Sequence, residues 1–131
     1  MDLKDLQSIK LIVCDVDGVL TDGKMIYSEN GDELKNFHTR DGIAAKLLKN
    51  AGYMLAIISS GSCTHLINRR GTFLNYDKII ITNQDKDIEL ANMLKEMNLR
   101  YENVLYIGDD INDYEAMKKC KLRCCPSNAV T

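Results

Sequence analysis

The apolar run Ile9-Lys10-Leu11-Ile12-Val13-Cys14 leads directly into Asp15-Val16-Asp17-Gly18-Val19-Leu20-Thr21. A run carrying a single charge is patterned for burial on both faces, which is the signature of a central strand in a parallel sheet. Two carboxylates at its C-terminal end stand where open α/β sheets bind ligands, and Gly18 lets the backbone turn away from them. A strand tip can present Asp15 and Asp17 together to one metal ion and one phosphoryl group. By itself an Asp-Gly step is also an ordinary turn and helix-cap signal, so the rest of the chain has to decide.

Three further segments do so. Gly108-Asp109-Asp110-Ile111-Asn112-Asp113 follows a second buried-strand pattern, Asn103-Val104-Leu105-Tyr106-Ile107. Ser59-Ser60-Gly61 follows Met54-Leu55-Ala56-Ile57-Ile58, and Lys86 opens a helical pattern soon after Lys78-Ile79-Ile80-Ile81. A serine turn or a solvated lysine is the usual reading of such residues taken singly. Their order is what carries information: acid pair, hydroxyl, lysine, acid cluster, each at or just after a strand end. Parallel strands bring all four to one edge of the sheet.

Between the strands the spacing predicts helices. Asp41 is placed to cap one that carries Ile43, Leu47, Leu48 and Ala51 and ends near Gly52. Others are expected at about 63–74, 85–97 and 112–119, with a short last strand at 122–125. The segment 24–37 reads as a β-hairpin about Asn30-Gly31. Strands and helices alternating through short turns give an α/β, doubly wound (Rossmann-like) parallel sheet, with the hairpin inserted after the first strand. Residues 1–131 form one expected domain, long enough to bury roughly two thirds of its unfolded surface.

The formal net charge of −2 gives no reason to expect a nucleic-acid or membrane partner. The first residues alternate charge and leucine without the apolar core of a signal peptide, and no stretch approaches the ~20 apolar residues of a membrane span. A cytoplasmic location is expected. The five cysteines include no Cys-x-x-Cys pair, so Cys120, Cys124 and Cys125 read as reduced thiols. His38 and His65 form no ligand pair.

The four motifs together resemble the haloacid dehalogenase superfamily of phosphatases, over nearly the whole chain. Asp15-x-Asp17-Gly18-Val19 looks like the first motif, Ser59 the second, Lys86 the third and Gly108-Asp109-Asp110-x-x-Asp113 the fourth. Within the superfamily the chain is similar to 3-deoxy-D-manno-octulosonate 8-phosphate phosphatases through residues 17–23, Phe37-His38-Thr39-Arg40-Asp41-Gly42 and Pro126-Ser127-Asn128-Ala129. The resemblance implies hydrolysis of a small sugar-acid phosphate, with a place in lipopolysaccharide biosynthesis.

It also implies roles. Asp15 would be the nucleophile and Asp17 the acid and base; Asp15, the Asp17 carbonyl and Asp109 would hold Mg2+. Ser59 and Lys86 would contact the transferring phosphoryl oxygens, with Ser60, Arg40 and Arg69 as further substrate-binding residues. Asp110 and Asp113 would serve the metal's outer shell or orient Lys86. Asp17 fits phosphatases and phosphomutases, since the dehalogenases of the superfamily lack an acid there. The gaps between motifs hold no cap domain, and capless relatives close their sites by forming homotetramers through the hairpin.

Two departures limit the substrate. Octulosonate phosphatases continue the second motif as Thr-Gly-Arg, and nonulosonate relatives end it in Glu, whereas here it reads Ser59-Ser60-Gly61. Relatives also carry a glycine-rich C-terminal tail beyond the point corresponding to Thr131, so the sequence is either a truncated version or that of an enzyme with an open site. The alternatives are a nonulosonate 9-phosphate or broad sugar-phosphate phosphatase, and a non-catalytic tetramer-forming module of sugar-activating enzymes.

Overall fold

Leu11, Ile12, Val13 and Cys14 are all buried, as a strand flanked on both edges and covered on both faces must be. In the computed structural model, which describes residues 2–130, they form β1 (Leu11–Cys14). β1 pairs in parallel with β4 (Met54–Ser59) on one side and β6 (Val104–Ile107) on the other. β5 (Lys78–Ile81) and β7 (Leu122–Cys124) complete a parallel sheet of order β5-β4-β1-β6-β7. Strand order reverses at β1, and in such sheets the crevice beyond the carboxyl ends at the reversal is the ligand site.

The two-residue period of the strands sorts their side chains onto two faces. Leu11, Val13, Ala56, Ile58, Val104 and Tyr106 pack with Leu90, Met93 and Leu94 of α4 (Lys86–Met97) and Ala116 of α5 (Tyr114–Met117). Ile12, Cys14 and Leu55 pack with Ala45 of α2 (Thr39–Asn50), while Val16 and Ile57 pack with Ile67 of α3 (Thr64–Phe73). Helices thus cover both faces, the doubly wound arrangement that the alternation predicts, and no cap domain is present among the described residues.

Local structure differs from expectation in four places. α2 starts at Thr39 and is capped by His38, whose Nδ1 accepts from the Arg40 N–H at 3.1 Å; Asp41 lies inside the first turn. An imidazole nitrogen in an extended residue serves the orphan donor as a carboxylate would, and Asp41 then meets the positive end of the helix dipole. The expected helix at 112–119 is a 3-10 turn, Ile111–Asp113, followed by the short α5. Asp110 and Asp113 tie down the amides of that turn and wind it tightly.

The hairpin is smaller than predicted: β2 (Ile26–Tyr27) and β3 (Glu33–Leu34) pair antiparallel over two residues each, with Gly31 at φ +88° in the turn. Phe37 leaves the ribbon and packs beside Val16, Ile57 and Ile67. Finally, α1 (Leu3–Gln7) was not foreshadowed by any periodicity; a reciprocal cap between Asp2 and Asp5 holds it.

Candidate active site

Asp15 is the first residue beyond β1, and its N–H bonds to the Ile107 carbonyl at 3.0 Å, which extends the ladder and fixes the backbone beneath the carboxylate. Its Oδ1 accepts from the Val16 N–H at 2.7 Å, leaving Oδ2 facing the Lys86 ammonium at 2.9 Å. Lys86, the first residue of α4, turns inward and is buried. It also reaches Asp113 Oδ1 at 2.8 Å.

Asp113 is fully used. Its Oδ1 accepts from Lys86 and from the Tyr106 hydroxyl at 3.0 Å, and its Oδ2 accepts from the N–H groups of Asp109 and Asp110 at 3.2 and 3.4 Å. A carboxylate so engaged orients its neighbours and has little left for a ligand. Asp109 is the opposite case: its Oδ1 is buried and has no hydrogen-bond partner. A buried carboxylate oxygen without a donor is costly unless something positive completes it.

The electrostatics agree. Burial pushes the Asp15 carboxyl up to about 7, against the pull of Lys86 and with a further push from Asp113. Burial also raises Asp109, with Asp113 and Asp110 adding repulsion. Oxygens of Asp15, Asp109 and Asp113 lie within 4.8 Å of one another. A divalent cation would offset this crowding, and the oxygens of Asp15 and Asp109 fit one, since Asp113 is already committed. The backbone is shaped around the same acids. Gly18 turns at φ +86°, and any Cβ there would collide with the Asp109 carboxylate; a Cβ on Gly108 would come within 2.6 Å of Asp113 Cβ.

Asp15, Asp17, Ser60, Gly61, Asp109, Asp110 and Asn112 line one open cavity of about 310 Å³ with Gly23. Ser59, the last residue of β4, is buried and does not itself line this cavity; its Oγ accepts from the N–H of the lining Gly61 at 3.1 Å, so that its own proton is free to be donated. Asn112 Nδ2 donates to Ser60 Oγ at 3.0 Å across the cavity wall.

The other expected residues lie apart. Arg40 is exposed and lines a neighbouring cleft with Asp22 and Asp41. Arg69 is exposed on α3; its neighbour Arg70 donates to the His38 carbonyl at 3.1 Å and stacks over Phe37. Sequence reasoning missed Lys35, whose Nζ lies 2.6 Å from Asp17 Oδ1. The one signal was strand alternation, which puts Glu33 and Lys35 on the same face of the hairpin. A lone charge there reads as solvated.

The family model for haloacid dehalogenase-like hydrolases matches residues 23–126. The chain is 36% identical over 115 residues to a 3-deoxy-D-manno-octulosonate 8-phosphate phosphatase of Haemophilus influenzae, which covers 88% of this chain and 63% of that protein. The chain therefore spans less than two thirds of the length of that relative. Among solved structures, the Moraxella catarrhalis 3-deoxy-D-manno-octulosonate 8-phosphate phosphatase, in complex with magnesium, phosphate and the sugar acid, superposes with a TM-score of 0.92 at 34% identity, covering 97% of this chain and 72% of that one. The cobalt-bound H. influenzae phosphatase gives 0.88 at 33% identity, with 96% and 73% covered.

Proposed function

The chain belongs to the haloacid dehalogenase-like hydrolase family, and on that premise we propose that it hydrolyses the phosphomonoester of a small sugar acid, first among them 3-deoxy-D-manno-octulosonate 8-phosphate. The observation that carries the reading is the Asp15 carboxylate, fixed at a strand tip, facing an open cavity, with Lys86 at 2.9 Å and the unpartnered Asp109 oxygen beside it.

Asp15 attacks phosphorus; as its oxygen–phosphorus bond forms, the bond to the sugar oxygen breaks and Asp17 delivers a proton to the departing alkoxide. The deprotonated Asp17 then takes a proton from water, which attacks the aspartyl-phosphate and releases inorganic phosphate. Lys86 and the Ser59 hydroxyl meet the charge on the transferring oxygens, and Asp113 keeps Lys86 aimed. Asp15, Asp109 and the Asp17 carbonyl would hold Mg2+, which supplies compensation for the repulsion between a carboxylate nucleophile and a phosphate dianion. Asp110, exposed beside Asp109, would serve the outer surroundings of that ion.

One observation favours a broader substrate range. Ser60, Gly61 and Asn112 line the wall where the octulosonate pattern would place an arginine, so the cavity offers neutral hydrogen-bonding groups in place of a fixed charge. Arg40 and Arg69 then contribute at a distance or from a neighbouring subunit. A homotetramer assembled through the hairpin would bring such groups over the open site, in a bacterial cytoplasm. The test is phosphate release with Mg2+ present from 3-deoxy-D-manno-octulosonate 8-phosphate, a nonulosonate 9-phosphate and simple sugar phosphates. Preference for the first supports the reading; equal rates on all of them support the broad one. No release from any leaves the non-catalytic module.

A further inference from the structure

The hairpin is latched onto its own chain's site by two contacts from one face of β3. Glu33 accepts from the Ser62 hydroxyl through Oε1 and Oε2 at 2.6 and 2.7 Å, on the loop that follows β4. Lys35, just past β3, lies 2.6 Å from Asp17 Oδ1. The Lys35 side chain is 3% exposed against 34% for that of Asp17, so the ammonium is enclosed while the carboxylate stays open to the cavity. A lysine gives up much hydration and rotamer freedom to sit this way, which a solvated surface pair does not do.

The consequence is that the two oxygens of Asp17 are no longer equivalent. Oδ1 is held by Lys35. Oδ2 points at Gly61, close enough that a Cβ on that glycine would stand 2.6 Å from it. Gly61 belongs to the loop after Ser59 and lines the same open cavity as Asp15 and Asp17. We propose that Lys35 is a positioning residue for Asp17, fixing the carboxylate so that Oδ2 is the oxygen presented to the leaving group; this rests on the reading of Asp17 as acid and base. The hairpin thereby takes part in the chemistry of its own subunit, in addition to any role between subunits. Freed of Lys35, Asp17 would rotate about its side-chain bonds, and an acid misplaced by an ångström loses much of its effect.

The experiment compares Lys35→Met, Lys35→Arg and Asp17→Asn on an alkyl and an aryl phosphate, sugar phosphate and p-nitrophenyl phosphate, because only the alkoxide needs a proton to leave. Lys35→Met is expected to lower kcat on the alkyl ester about tenfold more than on the aryl ester, with KM little changed, moving toward the pattern of Asp17→Asn. Lys35→Arg, which restores a cation at Oδ1, is expected to recover part of that difference. Equal losses on both esters, or a loss confined to KM, overturn the proposal. A crystal structure of K35M is read independently of turnover. Asp17 in an altered rotamer, with Glu33 still on Ser62, supports positioning, and Asp17 unmoved overturns it. A wild-type protein inactive on every ester would remove the proposed function while leaving that structural result to stand or fall alone.

Discussion

The Lys86 ammonium and the Asp113 carboxylate lie 2.8 Å apart with side chains only 2% and 0% exposed, and the same ammonium lies 2.9 Å from the Asp15 carboxylate. Lys86 comes from the start of α4 and Asp113 from the turn after β6, so the pair joins the two connections that flank the sheet's carboxyl edge. Asp113 reaches on to the Asp109 and Asp110 amides, which couples the lysine's position to the loop that carries the candidate metal ligand.

Removing the lysine should therefore be felt twice. Lys86→Met leaves Asp15 and Asp113 buried without their cation, a change that costs about 3–5 kcal/mol in comparable buried pairs. Denaturant unfolding is expected to show that loss, together with near-complete loss of phosphatase turnover. A variant as stable as the wild type would mean that the pair does not carry the fold.

Asp15→Asn should separate chemistry from folding. The amide cannot form an acyl phosphate, so turnover should drop by ~1000-fold or more while the sheet, which does not depend on that charge, remains. Retention of a tenth of wild-type activity would remove Asp15 as the nucleophile.

Metal binding should depend on pH in a definite direction. Asp15, at about 7, and Asp109, also raised, both prefer to be protonated in the fold. Their ionisation thus costs the metal-free protein stability as pH rises from the ordinary carboxylate value, 3.8, through about 7. A cation binds the ionised forms, so the rise in Tm on adding Mg2+ should be larger at pH 8 than at pH 5.5. A thermal-shift series with equal rises at both pH values would count against Asp15 and Asp109 as the ligands. Gly18→Ala, which drives a methyl group against the Asp109 carboxylate, should weaken the same response.

The hairpin presents Met25, Tyr27 and Leu34 to solvent, at 50%, 62% and 49% exposure, more apolar surface than so short a ribbon can use. A homotetramer that buries them is expected by light scattering, and Tyr27→Asp with Leu34→Asp should shift it to smaller species. A wild-type monomer at micromolar concentration would leave the assembly without support.

How far the sequence reached is clearest residue by residue. Asp15, Ser59, Lys86 and Asp109 could be placed because each lies at or soon after the end of a strand written in consecutive apolar residues, and parallel pairing forces those strand ends to one edge. The capping His38 and the 3-10 turn at Ile111–Asp113 were not legible, because N-cap propensity favours an aspartate such as Asp41 over a histidine, and a tight turn shares its residues with a helix start. Composition and spacing thus determined the sheet, its doubly wound cover and the edge at which the acids gather, since those follow from periodicity and from the rule that buried strands need helices on both faces. Only the tertiary structure could decide which acid was already satisfied and which was not. Asp113 and Asp109 are the same residue type in one motif, and what separates them is the donors that Lys86, Tyr106 and two backbone amides bring to the first and withhold from the second. Lys35 reached Asp17 by the same route: a contact between a hairpin and a strand tip is set by how the ribbon folds back, which no local pattern in the chain encodes.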